Sequence, residues 1–444
     1  MSETWRNTSA AELGRGIEAG QICPVDLTEC FLDAIERHPH RDRIYARTMR
    51  RQAEDVAMAA RARAKMGLRR GPLDGVPVSW KDLFDTAGVA TEAGTALLKG
   101  RVPSRNAVVV DRLTNAGMPP LGKTHMTELA FSGLGLNPVT ATPPCIHDPD
   151  RVPGGSSSGA ATSVAWDLAP VAIGSDTGGS VRVPSVWNDL VGLKTTAPRI
   201  SLTGVVDLAA RFDTVGPLAR TVEDAALSFA LLDGSTAPDL RDASLSGARL
   251  LVLETIALDD VAKTPAKGFD LALRQLAKAG ATISRGTLPC VAEAMALSGV
   301  LYSSETFARW GAVIEANPDV VFPPVRARFK AGAPMKAGDF IAAWNRLEAL
   351  RAQYLAATAG YDAVILPTAP TTPMLITDLM ADFDYFTTQN LLTLRNTRIG
   401  NLMGLCALTL PTAVPMAGLM MMASPNSEAR LLRLGAAAER ALRV

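Results

Sequence analysis

Histidine is scarce in this chain. Its 444 residues hold four, His38, His40, His125 and His147, and no two sit at the i, i+4 spacing that ligates a metal from one helix face. Chemistry that relies on an imidazole base or a histidine-bound metal therefore has few candidates. Cysteine is nearly as rare: Cys23, Cys30, Cys145, Cys290 and Cys406 form an odd, scattered set without a Cys-x-x-Cys pair. That pattern argues against a zinc site or a disulfide frame and fits a reducing, cytoplasmic setting. Net charge is missing too, at +1, which removes the electrostatic footprint of a nucleic-acid binder. The arginines between Arg41 and Arg70 are interrupted by Glu54 and Asp55 and read as a solvated helix face. The longest uncharged run, 407–423, falls short of the ~20 residues of a membrane helix and contains Pro411 and Pro415, so buried strands with turns are expected there. The opening MSETWRNTSAAEL carries charge and no apolar core of its own, unlike a secretory signal.

What is present is the balance of a soluble globular enzyme, 48% hydrophobic and 20% charged. Ser9 followed by Glu12 makes a capping box. Pro24 then opens a helix in which Leu27, Cys30, Phe31, Ala34 and Ile35 recur at helical spacing. A second amphipathic helix is expected over about 45–66, stopped by Gly67. Beyond it, short apolar strands such as GVPVSW, APVAIGS and ARLLVLE alternate with helical VVVDRLTNAG, AATSVAW and TVEDAALSFALLDG. This alternation predicts an α/β fold, a large mixed β-sheet flanked by helices on both faces. The pattern continues with a strand at 248–254, helices at 264–279 and 336–358, a strand at 362–366 and a closing helix from about 427. No linker or repeat interrupts it, so residues 1–444 are expected to form one domain, with a helical region at about 9–66.

Three motifs compete for the chemistry and each lacks a part. GMPPLGKT (117–124) matches the phosphate-loop pattern, yet a helix precedes it and Pro119 and Pro120 remove two N–H donors. Helix, Gly117, then a strand is the expected order. GSSSG (155–159) centres Ser157 in a nucleophile-elbow pattern, which calls for an acid and then a histidine downstream, and the last histidine is His147. Asp176-Thr177-Gly178 resembles half of an aspartic-protease site, but no second Asp-Thr-Gly triplet exists.

Serine chemistry without histidine needs another base, and lysine is one. Lys81 ends the apolar strand of GPLDGVPVSWKDLFDTAG (71–88), where burial could lower its pKa toward the ~7–8 useful to a base. Alone, such a lysine would more readily be a snorkelling surface residue. Further on, PGGSSSGAA (153–161) opens a helix and puts Ser156 near an N-terminus that favours developing negative charge, although serine also serves there as a simple cap. GSDTGGSVRVP (174–184) then delivers Gly178, Gly179 and Ser180 with consecutive N–H groups that glycine leaves open to close approach.

Lysine, Gly-Gly-Ser-Ser turn and Gly-Ser-Asp-Thr-Gly-Gly-Ser-Val-Arg-x-Pro, in that order and at gaps of 75 and 24 residues, resemble the amidase signature family. GKTHMTELAFSGLGLNP, VGLKTT, RFDTVGPLARTVEDAA, DAVILPTAP, RNTRIGNLMGL and SEARLLRLGAAAE are similar to further family segments, from near residue 25 to the C-terminus. The resemblance implies the amidase signature fold with its core at about 70–205, and an amidohydrolase built on Lys81, Ser156 and Ser180. On that pattern the bond before Ser156 is cis, neutral Lys81 takes the Ser156 proton, and Ser156 deprotonates Ser180. Ser180 attacks the amide carbon while the N–H groups of Thr177, Gly178, Gly179 and Ser180 hold the oxyanion. Ammonia or an amine leaves with a proton from Ser156, and water cleaves the acyl-enzyme. No cofactor or metal is called for. The implied partner is a small-molecule amide, with neither nucleic acid nor membrane, and a homodimer is left open. Asp176 and Arg182 are expected to brace the loop, the Arg182 fork offering the alternative of a substrate carboxylate. Lys194 and Asp82 match family positions and read as structural ion pairs.

Two departures bear on the substrate pocket: Trp187, Asn188 and Asp189 replace the frequent Phe-Cys-Gly, and VGLKTT lacks the usual proline after lysine. Pocket walls are expected near 126–137 and 300–330. Three rival readings remain. One is the amidase-like component of a tRNA-dependent glutamyl/aspartyl amidotransferase, whose typical CGVVGLKPTYG run is absent. The others are a silent binding protein, which would have lost a triad member, and a nucleotide binder using GMPPLGKT.

Overall fold

Lys81 closes a strand that is buried at all four positions, Val78–Lys81, and a strand buried along its length must lie inside a sheet covered on both faces. The computed structural model, which describes residues 2–443, places it in a sheet of eleven strands among those residues. These are β1 (Tyr45–Thr48), β2 (Val78–Lys81), β3 (Pro120–Thr124), β4 (Val171–Asp176), β5 (Val191–Lys194), β6 (Thr214–Ala219), β7 (Arg249–Leu253), β8 (Thr282–Gly286), β9 (Ala363–Pro367), β10 (Cys406–Pro411) and β11 (Gly418–Ala423). Their spatial order is β1-β3-β2-β4-β6-β5-β10-β11-β9-β7-β8. β2 pairs in parallel with β3 and β4, and β7 with β8 and β9; the remaining pairs are antiparallel.

Alternation along the strands shows both faces covered. In β7, Leu250 and Val252 join one apolar core while Leu251 and Leu253 join another. In β9, Ala363 and Ile365 take the first side, and Val364 and Leu366 the second. In β11, Leu419 and Met421 face one core and Met420 and Met422 the other. Successive side chains of a strand point to opposite faces, so over β7, β9 and β11 the two cores lie on the two sides of the sheet, while at β4 and β6 the first core covers both. The first includes Leu431, Leu432 and Leu442 of the closing helix Glu428–Leu442. The second includes Leu347 and Leu350 of helix Ala337–Thr358. The predicted mixed sheet with helices on both faces is what forms.

Local expectations fare unevenly. The Ser9–Glu12 capping box is present in both directions, and Pro24 opens helix Pro24–Arg37. The helix expected over 45–66 is shorter: Tyr45–Thr48 is β1, and the helix is Arg50–Lys65. Pairing with the neighbouring strand overrides helical patterning here, with the Tyr45 hydroxyl 2.7 Å from Ser79 Oγ in the interior. Residues 407–423 form the β10–β11 hairpin, and no described helix is long and apolar enough to cross a membrane.

GMPPLGKT is not a phosphate loop. Helix Val108–Asn115 precedes it, Gly117 follows at φ +89°, and β3 runs through the Gly-Lys-Thr. Lys123 is fully buried, donating to the Phe84 carbonyl at 2.7 Å and Thr91 Oγ1 at 2.8 Å and pairing with Asp82 at 3.2 Å. The lysine that a nucleotide would need is thus committed to the core.

Candidate active site

Lys81 and Ser175 stand at the carboxyl ends of β2 and β4, neighbouring parallel strands, which is where open α/β sheets present groups to ligands. Lys81 Nζ, out of contact with solvent, donates to Ser156 Oγ at 2.6 Å and to Ser175 Oγ at 2.8 Å. Burial lowers its pKa to about 7, against the opposing pull of Asp176 and Asp213. A lysine so placed has a substantial neutral fraction near neutral pH.

Ser156 reaches this position from the turn before helix Ser158–Ala165, and the Gly155–Ser156 peptide bond is cis. Ser157 ties the turn to the sheet: its hydroxyl donates to the Ser175 carbonyl at 3.1 Å and its N–H to the Ser180 carbonyl at 3.2 Å. Ser156 and Ser180 are thereby laced together through the backbone. Among the described residues no hydrogen bond joins their hydroxyls.

The 177–180 loop is pinned peptide by peptide. Thr214 Oγ1 donates to the Asp176 carbonyl at 2.7 Å, the Tyr302 hydroxyl to the Thr177 carbonyl at 2.9 Å and Thr397 Oγ1 to the Gly178 carbonyl at 2.7 Å. The Gly179 carbonyl accepts from Val183 N–H at 2.8 Å. In a planar trans peptide the N–H points opposite its carbonyl, so fixing four carbonyls aims four N–H groups. One of these departs from expectation: Gly179 N–H donates to Asp176 Oδ1 at 2.9 Å and is withdrawn from an oxyanion. Gly178 and Ser180 N–H have no acceptor among the described residues. Gly179 itself has φ +143°, and a Cβ there would lie 2.2 Å from Thr397 Oγ1, so only glycine fits.

Asp176 and Arg182 lie wholly inside the protein, paired at 2.8 Å. Arg182 Nε also donates to Asp176 Oδ2, its Nη1 to the Thr397 carbonyl and its Nη2 to Asn401 Oδ1. Burial would raise the Asp176 carboxyl, but Arg182 outweighs it and holds the group well below the usual carboxylate range. With its fork occupied and no surface exposed, Arg182 braces the loop and has nothing left for a substrate. Asp82 pairs with Lys123 and Arg47. Lys194 differs from the expected ion pair: Nζ donates to the carbonyls of Thr195 and Leu405 at 2.9 and 2.7 Å.

The departures at Trp187 and Asn188 are packed behind this turn. Asn188 Nδ2 donates to the carbonyls of Pro153 and Pro184, tying the segment before Ser156 to the helix after Ser180, and Trp187 Nε1 donates to the Thr371 carbonyl. Ser180, Thr177 and Gly178 form one wall of a cavity of about 220 Å³. Lys81 and Ser156 are not among its wall residues. Ala130, Phe131, Ser132, Tyr302, Ser303 and Arg328, all inside the stretches 126–137 and 300–330, line it with Arg398 and others. Sequence reasoning does not single out Ser175, Tyr302, Thr397, Asn401, Arg328 or Arg398, although GSDTGGS and RNTRIGNLMGL contain four of them.

A mixed sheet carrying a buried lysine against serine-rich turns defines the class, and the family follows from comparison. The family model described as Amidase matches residues 26–432, and the chain belongs to that family. It is similar to 2-amino-5-chloromuconic acid deaminase of Comamonas testosteroni, at 34% identity over 86% of this chain and 84% of that protein. It is also similar to the A component of the glutamyl-tRNA(Gln) amidotransferase of Thermobifida fusca (strain YX), at 31% identity over 98% of this chain and 96% of that one. Among solved structures, a crystal structure of an amidase superposes with a TM-score of 0.88 at 29% identity, covering 98% of this chain and all of that one. The native peptide amidase of Stenotrophomonas maltophilia gives 0.83 at 26% identity, over 98% and 97% of the two chains. Family and neighbours together support hydrolysis of C–N bonds.

Proposed function

We propose that this protein is a free-standing amidohydrolase that cleaves a small amide through Ser180, with Ser156 and Lys81 relaying the proton and an acyl-enzyme as intermediate. The observation that carries the reading is the fully buried Lys81 Nζ 2.6 Å from Ser156 Oγ, in a protein whose Ser180 faces the cavity. Neutral Lys81 accepts the Ser156 proton as Ser156 accepts that of Ser180, whose oxygen forms the bond to the amide carbon. The oxyanion is met by the N–H groups of Gly178 and Ser180, whose peptide planes are fixed in advance, so little reorganisation accompanies attack. As the C–N bond breaks, Ser156 gives its proton to the departing nitrogen and regains one from Lys81. Water then attacks the ester by the same relay and restores Ser180. A cavity of about 220 Å³ lies below the ~300–1,000 Å³ typical of drug-sized ligands and favours a small substrate. The relative named as a deaminase supports ammonia as the leaving group.

The test is Ser180→Ala. Turnover of a panel of short amides, read as ammonia release, should fall by about 10⁶, the order seen when a serine hydrolase loses its nucleophile. Labelling by a fluorophosphonate should vanish while the unfolding transition stays in place. Turnover near the wild-type rate, or labelling retained on another serine, would overturn the assignment.

A further inference from the structure

Among the described residues the cavity beside Ser180 is lined by two positive charges and no negative one. Its walls are mainly apolar or small, and its only ionisable charges are Arg328 and Arg398, both partly buried. Several sequestered arginines face carboxylates, Arg47 meeting Asp82 and Glu92, Arg63 Asp74, Arg182 Asp176 and Arg199 Asp233 and Glu428, whereas Arg43 and Arg395, also half-buried, meet carbonyl or amide oxygens instead. Among the described residues neither Arg328 nor Arg398 has a carboxylate partner. Arg328 spends one N–H on the Phe131 carbonyl at 2.6 Å and holds its Cζ 4.2 Å from the centre of the Phe131 ring. That fixes the guanidinium and leaves its other donors free. The two groups also oppose each other: burial first, and then the Arg398 charge, push Arg328 down to about 9. Two cations without a counter-charge in a mainly apolar cavity are costly to hold, and the attraction of an anion between them offsets both the desolvation and the repulsion.

Resting on the reading of Ser180 as nucleophile, we propose that the substrate is an amide bearing a carboxylate, which Arg328 and Arg398 bind while the amide meets Ser180. Guanidinium forks suit a planar carboxylate, and fixing one end of a small substrate orients the other for attack. The shared chemistry is the anion; it can sit on the acyl part or on the amine part. Succinamate against succinamide tests the first source, and N-acetylglycine against N-methylacetamide the second.

For wild type, kcat/KM for the charged member of one pair should exceed that of the neutral member by about 100-fold, about tenfold per guanidinium. The pair that shows the preference identifies the side. In Arg328→Gln and Arg398→Gln the ratio should fall by about tenfold each, chiefly through KM, and Arg398→Lys should restore part of it. Amide turnover with a charged-to-neutral ratio near one in both pairs would overturn the carboxylate and leave the hydrolase reading standing. If no amide is turned over at all, the hydrolase reading fails, and calorimetric titration of succinate decides the anion site. Binding that weakens at least tenfold in Arg398→Gln supports it, and absence of binding overturns it.

Discussion

Lys81 makes the mechanism testable by pH alone. Its ammonium would be cut off from water with two serine hydroxyls as its partners, and its pKa of about 7 against an ordinary 10.5 corresponds to roughly 5 kcal/mol favouring the neutral form. If neutral Lys81 receives the serine proton, kcat/KM should follow its deprotonated fraction. The rate should be near its plateau at pH 8, halved at about pH 7, and about tenfold lower for each unit below, reaching about one hundredth of the plateau at pH 5. The assay is initial-rate ammonia release across overlapping buffers with a neutral amide, so that substrate ionisation does not enter. A break near the ordinary lysine value, or a rate flat from pH 8 to pH 5, would refute the argument, because neither is compatible with this lysine as base. Stability should move with it. The unfolded chain holds the Lys81 proton up to about pH 10 while the folded protein releases it near pH 7, so this residue makes stability rise with pH across that interval and contributes no slope below it. Lys81→Met should abolish turnover and remove that slope in urea titrations at pH 7, 8 and 9.

Two further perturbations probe what holds the 177–180 loop. Arg182→Met leaves Asp176 buried without its partner, and the unfolding free energy should drop by about 3–5 kcal/mol, as removal of one member of a buried ion pair does; a loss under about 1 kcal/mol by urea denaturation would contradict the bracing role. Tyr302→Phe removes only the hydroxyl that anchors the Thr177 carbonyl. Its expected effect is a fall in kcat of about tenfold with KM little changed, part of what losing one oxyanion donor outright costs, and an unchanged kcat would show that this anchor does not align the Gly178 N–H.

The features that can be read from sequence are those whose physics is local. β2, β4 and β7 are short apolar runs bounded by turns, and the capping box at Ser9 and the glycine after helix Val108–Asn115 are fixed by a few neighbouring residues. β1 is illegible in this way because Tyr45–Thr48 owes its strand to pairing with β3, a partner some 75 residues away that no local window contains. Helix Pro289–Ala316 is hidden for a related reason. It packs against helices Pro323–Lys330, Ala337–Thr358 and Arg395–Leu402, so its apolar residues face several directions and draw no single stripe.

The candidate site divides along the same line. Lys81, Ser156 and Ser180 stand in short motifs whose order and spacing are visible, and the structure brings Lys81 onto Ser156 and ties the Ser156 turn to Ser180. What a motif cannot show is which of its polar atoms are already taken. Gly179, a glycine beside a serine, reads as an oxyanion donor, yet its N–H is taken by Asp176. Arg182 has the right chemistry for a substrate carboxylate and is fully occupied by Asp176, Thr397 and Asn401. Arg328 and Arg398, unremarkable in the sequence, face the cavity without a carboxylate partner among the described residues. Counting satisfied donors therefore directs the carboxylate proposal away from the signature loop and to helices Pro323–Lys330 and Arg395–Leu402, far away in the chain. If Lys81, Ser156 and Ser180 cleave the bond and Arg328 and Arg398 choose the amide, then cleavage is legible in short motifs while the choice rests on a cavity wall that only the folded chain assembles.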